Sequence, residues 1–87
     1  MTVKRVAIAG SSGSIGVQTI DVVSAEPDNY VVSALAVGSS SDVVIQQARQ
    51  LRPELVVVTD NAQRQRVADA LPGITVSGDL SDIVDIA

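Results

Sequence analysis

The sequence predicts an α/β fold, and three observations carry that prediction. Short runs rich in Val, Ile, Leu and Ala at residues 3–9, 30–37, 55–59 and 74–77 alternate with longer segments of helical periodicity. That alternation belongs to a parallel sheet with right-handed crossovers and helices on both faces. The runs are continuous in apolar and small residues and weighted toward β-branched side chains, as in strands covered on both sides. Finally, the first run passes into the first helical segment through Gly10-Ser11-Ser12-Gly13-Ser14-Ile15-Gly16. Strand, glycine loop and helix in that order indicate a Rossmann-type, doubly wound parallel sheet. It is incomplete, with about four β-α units in one domain over residues 1–87.

Each element has its own reason. Residues 3–9 form the first strand, with Lys4 and Arg5 at its solvent end. Residues 14 to about 25 form the first helix, in which Ile15, Thr19, Ile20, Val22 and Val23 make one apolar stripe with Asp21 outside it. Glu26-Pro27-Asp28-Asn29 ends that helix, because proline disfavours the helical conformation in the residue before it. Residues 30–37 are the second strand, and Tyr30 at its entrance packs against the first helix. Gly38-Ser39-Ser40-Ser41-Asp42 leads into a second helix; Ser39 and Asp42 have capping-box spacing, and Ser41 is an equally fair N-cap. In that helix, which runs to about residue 51, Val44, Ile45, Ala48 and Leu51 face inward and Gln46, Gln47, Arg49 and Gln50 mostly outward. Arg52-Pro53-Glu54 closes it. Residues 55–59, with three consecutive valines, form the third strand. Asp60 or Asn61 caps a third helix to about residue 71. Pro72-Gly73 is a turn, residues 74–77 a short fourth strand, and Gly78-Asp79 opens a helix that runs to Ala87.

The glycine loop is a candidate phosphate site. The first glycine makes the tight turn, the middle one lets a pyrophosphate approach the backbone, and the last lets helix and strand pack closely. Free N–H groups at the helix start, with the positive end of its dipole, hold the anion. The glycines are spaced three and three rather than two and three, and the strand and helix around them supply the specificity. A dinucleotide site also needs the end of the second strand, where NAD-binding units carry an acidic side chain for the ribose hydroxyls. Here that region reads Leu35-Ala36-Val37-Gly38-Ser39-Ser40-Ser41, with no carboxylate to repel a 2′-phosphate and three hydroxyls to bond one. This favours NADP over NAD, although no arginine or lysine is present in the loop.

Composition excludes several classes. The 87 residues include six basic and ten acidic side chains, a net charge of −4 that argues against nucleic-acid and acidic-membrane partners. Cysteine and histidine are absent, which removes a thiol nucleophile, a histidine base, a typical zinc site and any disulfide. Tyr30 is the sole aromatic although 46% of residues are apolar, so the core is aliphatic. No apolar run reaches membrane-spanning length and the start leads into a strand, so a soluble cytoplasmic protein is expected.

The run from Gly10 to Gly16, followed by Thr19-Ile20-Asp21-Val22-Val23, a proline, a valine-rich second strand and a glycine loop, resembles the amino-terminal end of 1-deoxy-D-xylulose 5-phosphate reductoisomerase. Pro53-Glu54-Leu55-Val56-Val57-Val58 resembles that family's third strand, and the likeness covers essentially the whole chain. The resemblance implies an enzyme that uses NADPH and a divalent metal, Mg or Mn, to rearrange and reduce 1-deoxy-D-xylulose 5-phosphate to 2-C-methyl-D-erythritol 4-phosphate in isoprenoid synthesis. It implies a homodimer in the full-length family. By the same resemblance Ser12, Gly13, Ser14 and Ile15 contact the NADPH phosphates, and Gly38, Ser39 and Ser40 lie by the adenosine ribose and its 2′-phosphate. Gly10 and Ser11 of the glycine loop complete the expected cofactor-binding set. Ser39 and Ser40 stand where a lysine and an asparagine often occur. The family's metal-binding carboxylates, substrate pocket and lid lie beyond position 87, so the chain is expected to be a truncated part of the cofactor domain without turnover of its own.

Other constellations have plainer readings. Asp79, Asp82 and Asp85 recur every three residues, as a solvated helix face does more often than a metal site. Arg64 and Arg66 are two apart and do not share a helix face, which argues against a phosphate clamp. Asp21 suits a helix surface. A receiver domain is excluded because Gly10-Ser11-Ser12 stands where its acidic pair is needed. A non-catalytic nucleotide or coenzyme A binding module remains an alternative of another class, and aspartate-semialdehyde dehydrogenase opens with a comparable loop.

Overall fold

The computed structural model describes residues 3–83. The elements follow in the order β1 (Lys4–Ala9), α1 (Ser14–Ser24), β2 (Tyr30–Val37), α2 (Ser41–Leu51), β3 (Leu55–Val58), α3 (Asn61–Ala70) and β4 (Thr75–Ser77). All four strands are parallel in one sheet ordered β1-β2-β3-β4. The four strands and the first three helices read from the sequence are present within about two residues of their expected ends, a normal margin for boundaries. The helix expected from residue 78 to Ala87 lies partly outside the described residues.

Strand order decides which face the helices cover. Each connection steps to the next strand in the same direction, and crossovers of one hand then deliver every helix to the same face. Ile20 and Val23 of α1, Val44, Ile45 and Ala48 of α2, and Val67 of α3 accordingly belong to one buried cluster with Val32, Leu35, Val37, Val56 and Val58. Helices on both faces were expected; among the described residues α1, α2 and α3 share one face. The second face holds the smaller cluster of Ala34, Ala36, Leu55 and Val57, against which Ala7 and Ile83 pack. A second winding needs a strand on the other side of β1, and β2 is the partner of β1 among the described residues.

Local chemistry shapes the ends of these elements. The register between β1 and β2 slips between Val6 and Ala7, which pair with Val32 and Ala34 and leave Ser33 as the extra residue. Its hydroxyl donates to the Val6 carbonyl at 3.3 Å, so the bulge leaves this buried polar group bonded. Asp60 is the N-cap of α3, accepting from the Ala62 N–H at 2.9 Å. In α2 the N-cap is Ser40, and no side chain caps it; instead the Ser41 N–H donates to the Ser39 carbonyl at 2.8 Å. α2 ends at Arg52 in the left-handed region, φ 54°, with Pro53 preventing continuation.

α1 departs from its expected face. Its buried residues are Gly16, Ile20 and Val23, whereas Ile15 is 79% exposed and Val22 62% exposed. At about 100° per residue, positions 16, 20 and 23 share a side and positions 15 and 22 fall off it. The helix is apolar over more than one face, so periodicity alone did not choose between them.

Candidate functional site

The first loop is built by hydrogen bonds at its base. The Gly10 and Ser11 N–H groups both donate to the Ala36 carbonyl of β2, at 2.8 and 3.1 Å. Gly10 adopts φ +69°, a conformation that side chains rarely tolerate, and this turns the chain off the strand. The Gly13 N–H then closes onto the Gly10 carbonyl at 3.0 Å and the Val17 N–H onto the Gly13 carbonyl at 2.9 Å. Gly16 lies against the turn so closely that a Cβ there would stand 2.4 Å from the Gly10 oxygen and 2.7 Å from the Ser11 Cα.

These bonds leave a set of donors free. Among the described residues, the N–H groups of Ser12, Ser14, Ile15 and Gly16 have no protein acceptor. They cluster at the start of α1, whose N-cap Gly13 brings no side-chain cap and whose first turn has no acidic residue. An unneutralised helix start with unpaired amides is an anion seat. Gly13 itself has ordinary φ, −78°, and a Cβ there would meet only the Gly10 oxygen, at 3.4 Å.

The predicted residues divide by what they present. Ser12 is half-buried, and Gly13, Ser14 and Ile15 are exposed on the loop. Ser11 points inward and is fully buried, its N–H engaged by β2 and its carbonyl by Gln47. In the second loop Gly38 and Ser39 are exposed and Ser40 is half-buried. The two loops meet in a cleft of about 160 Å³ beyond the carboxyl ends of β1 and β2, bordered by Ala9, Gly10, Ala36, Val37, Gly38, Thr59 and Leu80. That is where ligands bind in open α/β sheets. A wider groove of about 330 Å³ lies at the opposite end of the sheet, around Tyr30, Pro27 and Leu51. There Tyr30 packs against the main core, as its position at the entrance of β2 suggests.

Two functional neighbours were hidden from the sequence. Gln47, expected mostly outward, is half-buried and donates from Nε2 to the Ser11 carbonyl at 2.8 Å. Its place three residues after the inward Val44 is the signal that could have found it. Arg66, expected in solvent, pairs with Asp42 and reaches the Ser41 hydroxyl from Nη1 at 3.4 Å, so a cation from α3 stands beside the second loop. Arg64 turns elsewhere, donating from Nε to the Val58 carbonyl at 3.2 Å and also to Asn61. The two arginines diverge, as their spacing requires.

The carboxylates after β4 serve local turns. Asp79 accepts from the Ser81 N–H at 2.9 Å, and this bond, then one from the Ser81 side chain, holds its carboxyl below the ordinary value. Asp82 accepts from the Ser77 hydroxyl. Asp85 lies outside the described residues, among which no group of three potential metal ligands occurs.

A family model for 1-deoxy-D-xylulose 5-phosphate reductoisomerase matches residues 6–85, nearly the whole chain. The chain belongs to the 1-deoxy-D-xylulose 5-phosphate reductoisomerase family. Curated relatives of that name include one from Anaeromyxobacter sp. (strain K), 50% identical over 78 residues that cover 87% of this chain and 20% of the relative. Another, from Trichlorobacter lovleyi, is 42% identical over 73 residues, 84% of this chain and 19% of its own. The chain thus spans about a fifth of the length of the reductoisomerases it matches. Among solved structures, a reductoisomerase from Zymomonas mobilis in complex with NADPH superposes with a TM-score of 0.86 at 22% identity, covering 97% of this chain and 23% of that one. A reductoisomerase in complex with magnesium superposes with a TM-score of 0.79 at 30% identity, over 98% and 22% of the two chains. The Rossmann-type reading of the fold therefore stands, and membership of the reductoisomerase family displaces the alternative of a stand-alone nucleotide or coenzyme A module.

Proposed function

We propose that this chain is the NADPH-binding, amino-terminal part of a 1-deoxy-D-xylulose 5-phosphate reductoisomerase. The observation that carries the reading is the row of free N–H groups at Ser12, Ser14, Ile15 and Gly16, in the loop whose first residue, Gly10, borders the cleft shared with Gly38. An anion held there accepts several backbone donors and the helix dipole at once. The pyrophosphate then lies on the first loop and the adenosine ribose by Gly38, Ser39 and Ser40. The second loop carries no carboxylate of its own and offers the Ser39 and Ser40 hydroxyls to a 2′-phosphate, which supports NADPH over NADH. The Arg66 guanidinium beside Ser41 is already paired with Asp42. The free N–H groups of the first loop and the second-loop serines bind and orient, Gly10 and Gly13 shaping the turn that presents them; when bound, the nicotinamide would supply the hydride for the reduction.

The described residues fit this cofactor and do not fit the metal. Asp79 and Asp82 are engaged with Ser81 and Ser77, and no third ligand joins them among the described residues. Rearrangement and reduction accordingly belong to the full-length protein, with divalent metal, substrate pocket and homodimer supplied there, and these 87 residues alone are expected to show no turnover. A cytoplasmic location agrees with the absence, among the described residues, of a helix long and apolar enough to cross a membrane.

Paired calorimetric titrations with NADPH and NADH test the reading. Tighter binding of NADPH is the expected result. Failure of a chain folded by circular dichroism to bind either one, with the same failure in a version extended through the remaining strands, would remove the phosphate loop from consideration.

A further inference from the structure

We propose that Gln47 is a positioning residue for the phosphate loop, aiming the Ser12 N–H at the bound anion; this rests on the NADPH reading above. The loop has to be held before it can present its donors. From one side the Ala36 carbonyl takes the Gly10 and Ser11 N–H groups, at 2.8 and 3.1 Å. From the other side Gln47, in the middle of α2, donates from Nε2 to the Ser11 carbonyl at 2.8 Å. Ser11 is fully buried and Gln47 half-buried, so this bond is partly shielded from solvent.

Peptide geometry turns that bond into an orientation. The Ser11 carbonyl and the Ser12 N–H belong to one planar trans unit and point in opposite directions. Drawing the carbonyl inward toward α2 therefore sends the Ser12 N–H outward, and that N–H is one of the donors without a protein acceptor. A carbonyl that accepts a hydrogen bond also polarises its own peptide, which makes the attached N–H a stronger donor. The same tie links the two loops, because α2 begins directly after Ser39 and Ser40. Gln47 thus sets the spacing between the phosphate seat and the adenosine end of the cleft. The junction is polar and closed: Gln47 Oε1 and Ser11 Oγ are both buried without protein partners, so a local substitution is felt there.

The test is Gln47→Met, which keeps length and removes the amide. Without the tie the free loop samples other peptide orientations and must be ordered on binding, which weakens ligands that use the loop. Binding of NADPH and of adenosine 2′-phosphate, which has no pyrophosphate, is measured on the 87-residue chain and the variant. The expected result is a loss of about tenfold for NADPH, as for one hydrogen bond to a charged group, with adenosine 2′-phosphate changed by less than about twofold. Equal NADPH affinity in the two proteins overturns the inference while leaving the cofactor site intact. A parallel loss for both ligands also overturns it, since a general structural role would weaken both. If the unmodified chain and its extended version bind no NADPH, the cofactor reading fails and this inference with it. Should the variant not fold, hydrogen exchange in the unmodified chain decides. A slowly exchanging Gln47 side-chain amide, with a Ser12 N–H resonance that responds to NADPH and not to adenosine 2′-phosphate, supports the tie. Rapid exchange, or an unresponsive Ser12, rules it out.

Discussion

Gly13 and Gly16 lie three residues apart in one loop and do opposite work. A side chain at Gly16 would collide with the Gly10 oxygen and the Ser11 backbone, at 2.4 and 2.7 Å. Gly16→Ala should therefore destabilise the fold by about 1–3 kcal/mol, read as a lower urea midpoint at unchanged slope. Gly13 has an ordinary backbone conformation and a Cβ there meets only the Gly10 oxygen, at 3.4 Å, so Gly13→Val should lower the melting temperature far less than a side chain at Gly16. The valine side chain would occupy the place of the phosphate and abolish NADPH binding. Unchanged NADPH affinity in a folded Gly13→Val protein would count against the site. At the second loop Ser39 is exposed at the cleft end of β2, and Ser39→Asp sets a carboxylate beside the 2′-phosphate. NADPH affinity should fall by about tenfold or more and NADH affinity by little, a comparison that calorimetry makes directly.

At the scale of elements, capping was legible only where a side chain makes the cap. Asp60 was one of two residues expected to start α3, and its carboxylate holds the Ala62 N–H at 2.9 Å. Asp60→Ala should cost about 1 kcal/mol, measured as a shift of the urea midpoint, with Asp60→Asn largely restoring it. The start of α2 offered two N-cap candidates of similar merit, Ser39 and Ser41, and the N-cap is Ser40 between them, with no side-chain bond. Ser41 instead turns inward, its hydroxyl donating to Gln63 on α3 at 3.0 Å. Local spacing cannot anticipate that, because the competing partner is 22 residues away and is brought near only when α2 and α3 pack. α1 makes the same point: Ile15 and Val22 read as core, yet the helix turns Gly16 to the sheet because only glycine permits that approach.

For the whole molecule, stability rests on β2 and β3, the strands with neighbours on both sides. Leu35 of β2 is fully buried in the main core. Leu35→Ala should cost about 3 kcal/mol, a large share of the roughly 5–10 kcal/mol expected of a domain this size. Equilibrium urea unfolding checks it, and a loss below about 1 kcal/mol would mean that the core repacks freely.

The sequence by itself determined the order of the elements, the parallel sheet, both glycine loops and the family. Each depends on local signals: apolar runs, glycine punctuation and a specific motif. Three matters were left to the tertiary structure: the placing of α1, α2 and α3 on one face, the inward turn of Gln47 to the Ser11 carbonyl, and the approach of Arg66 to the second loop. All three depend on which strand neighbours which and on how helices pack. Contacts between residues 25 or 36 apart in the chain exist only after the sheet has assembled them.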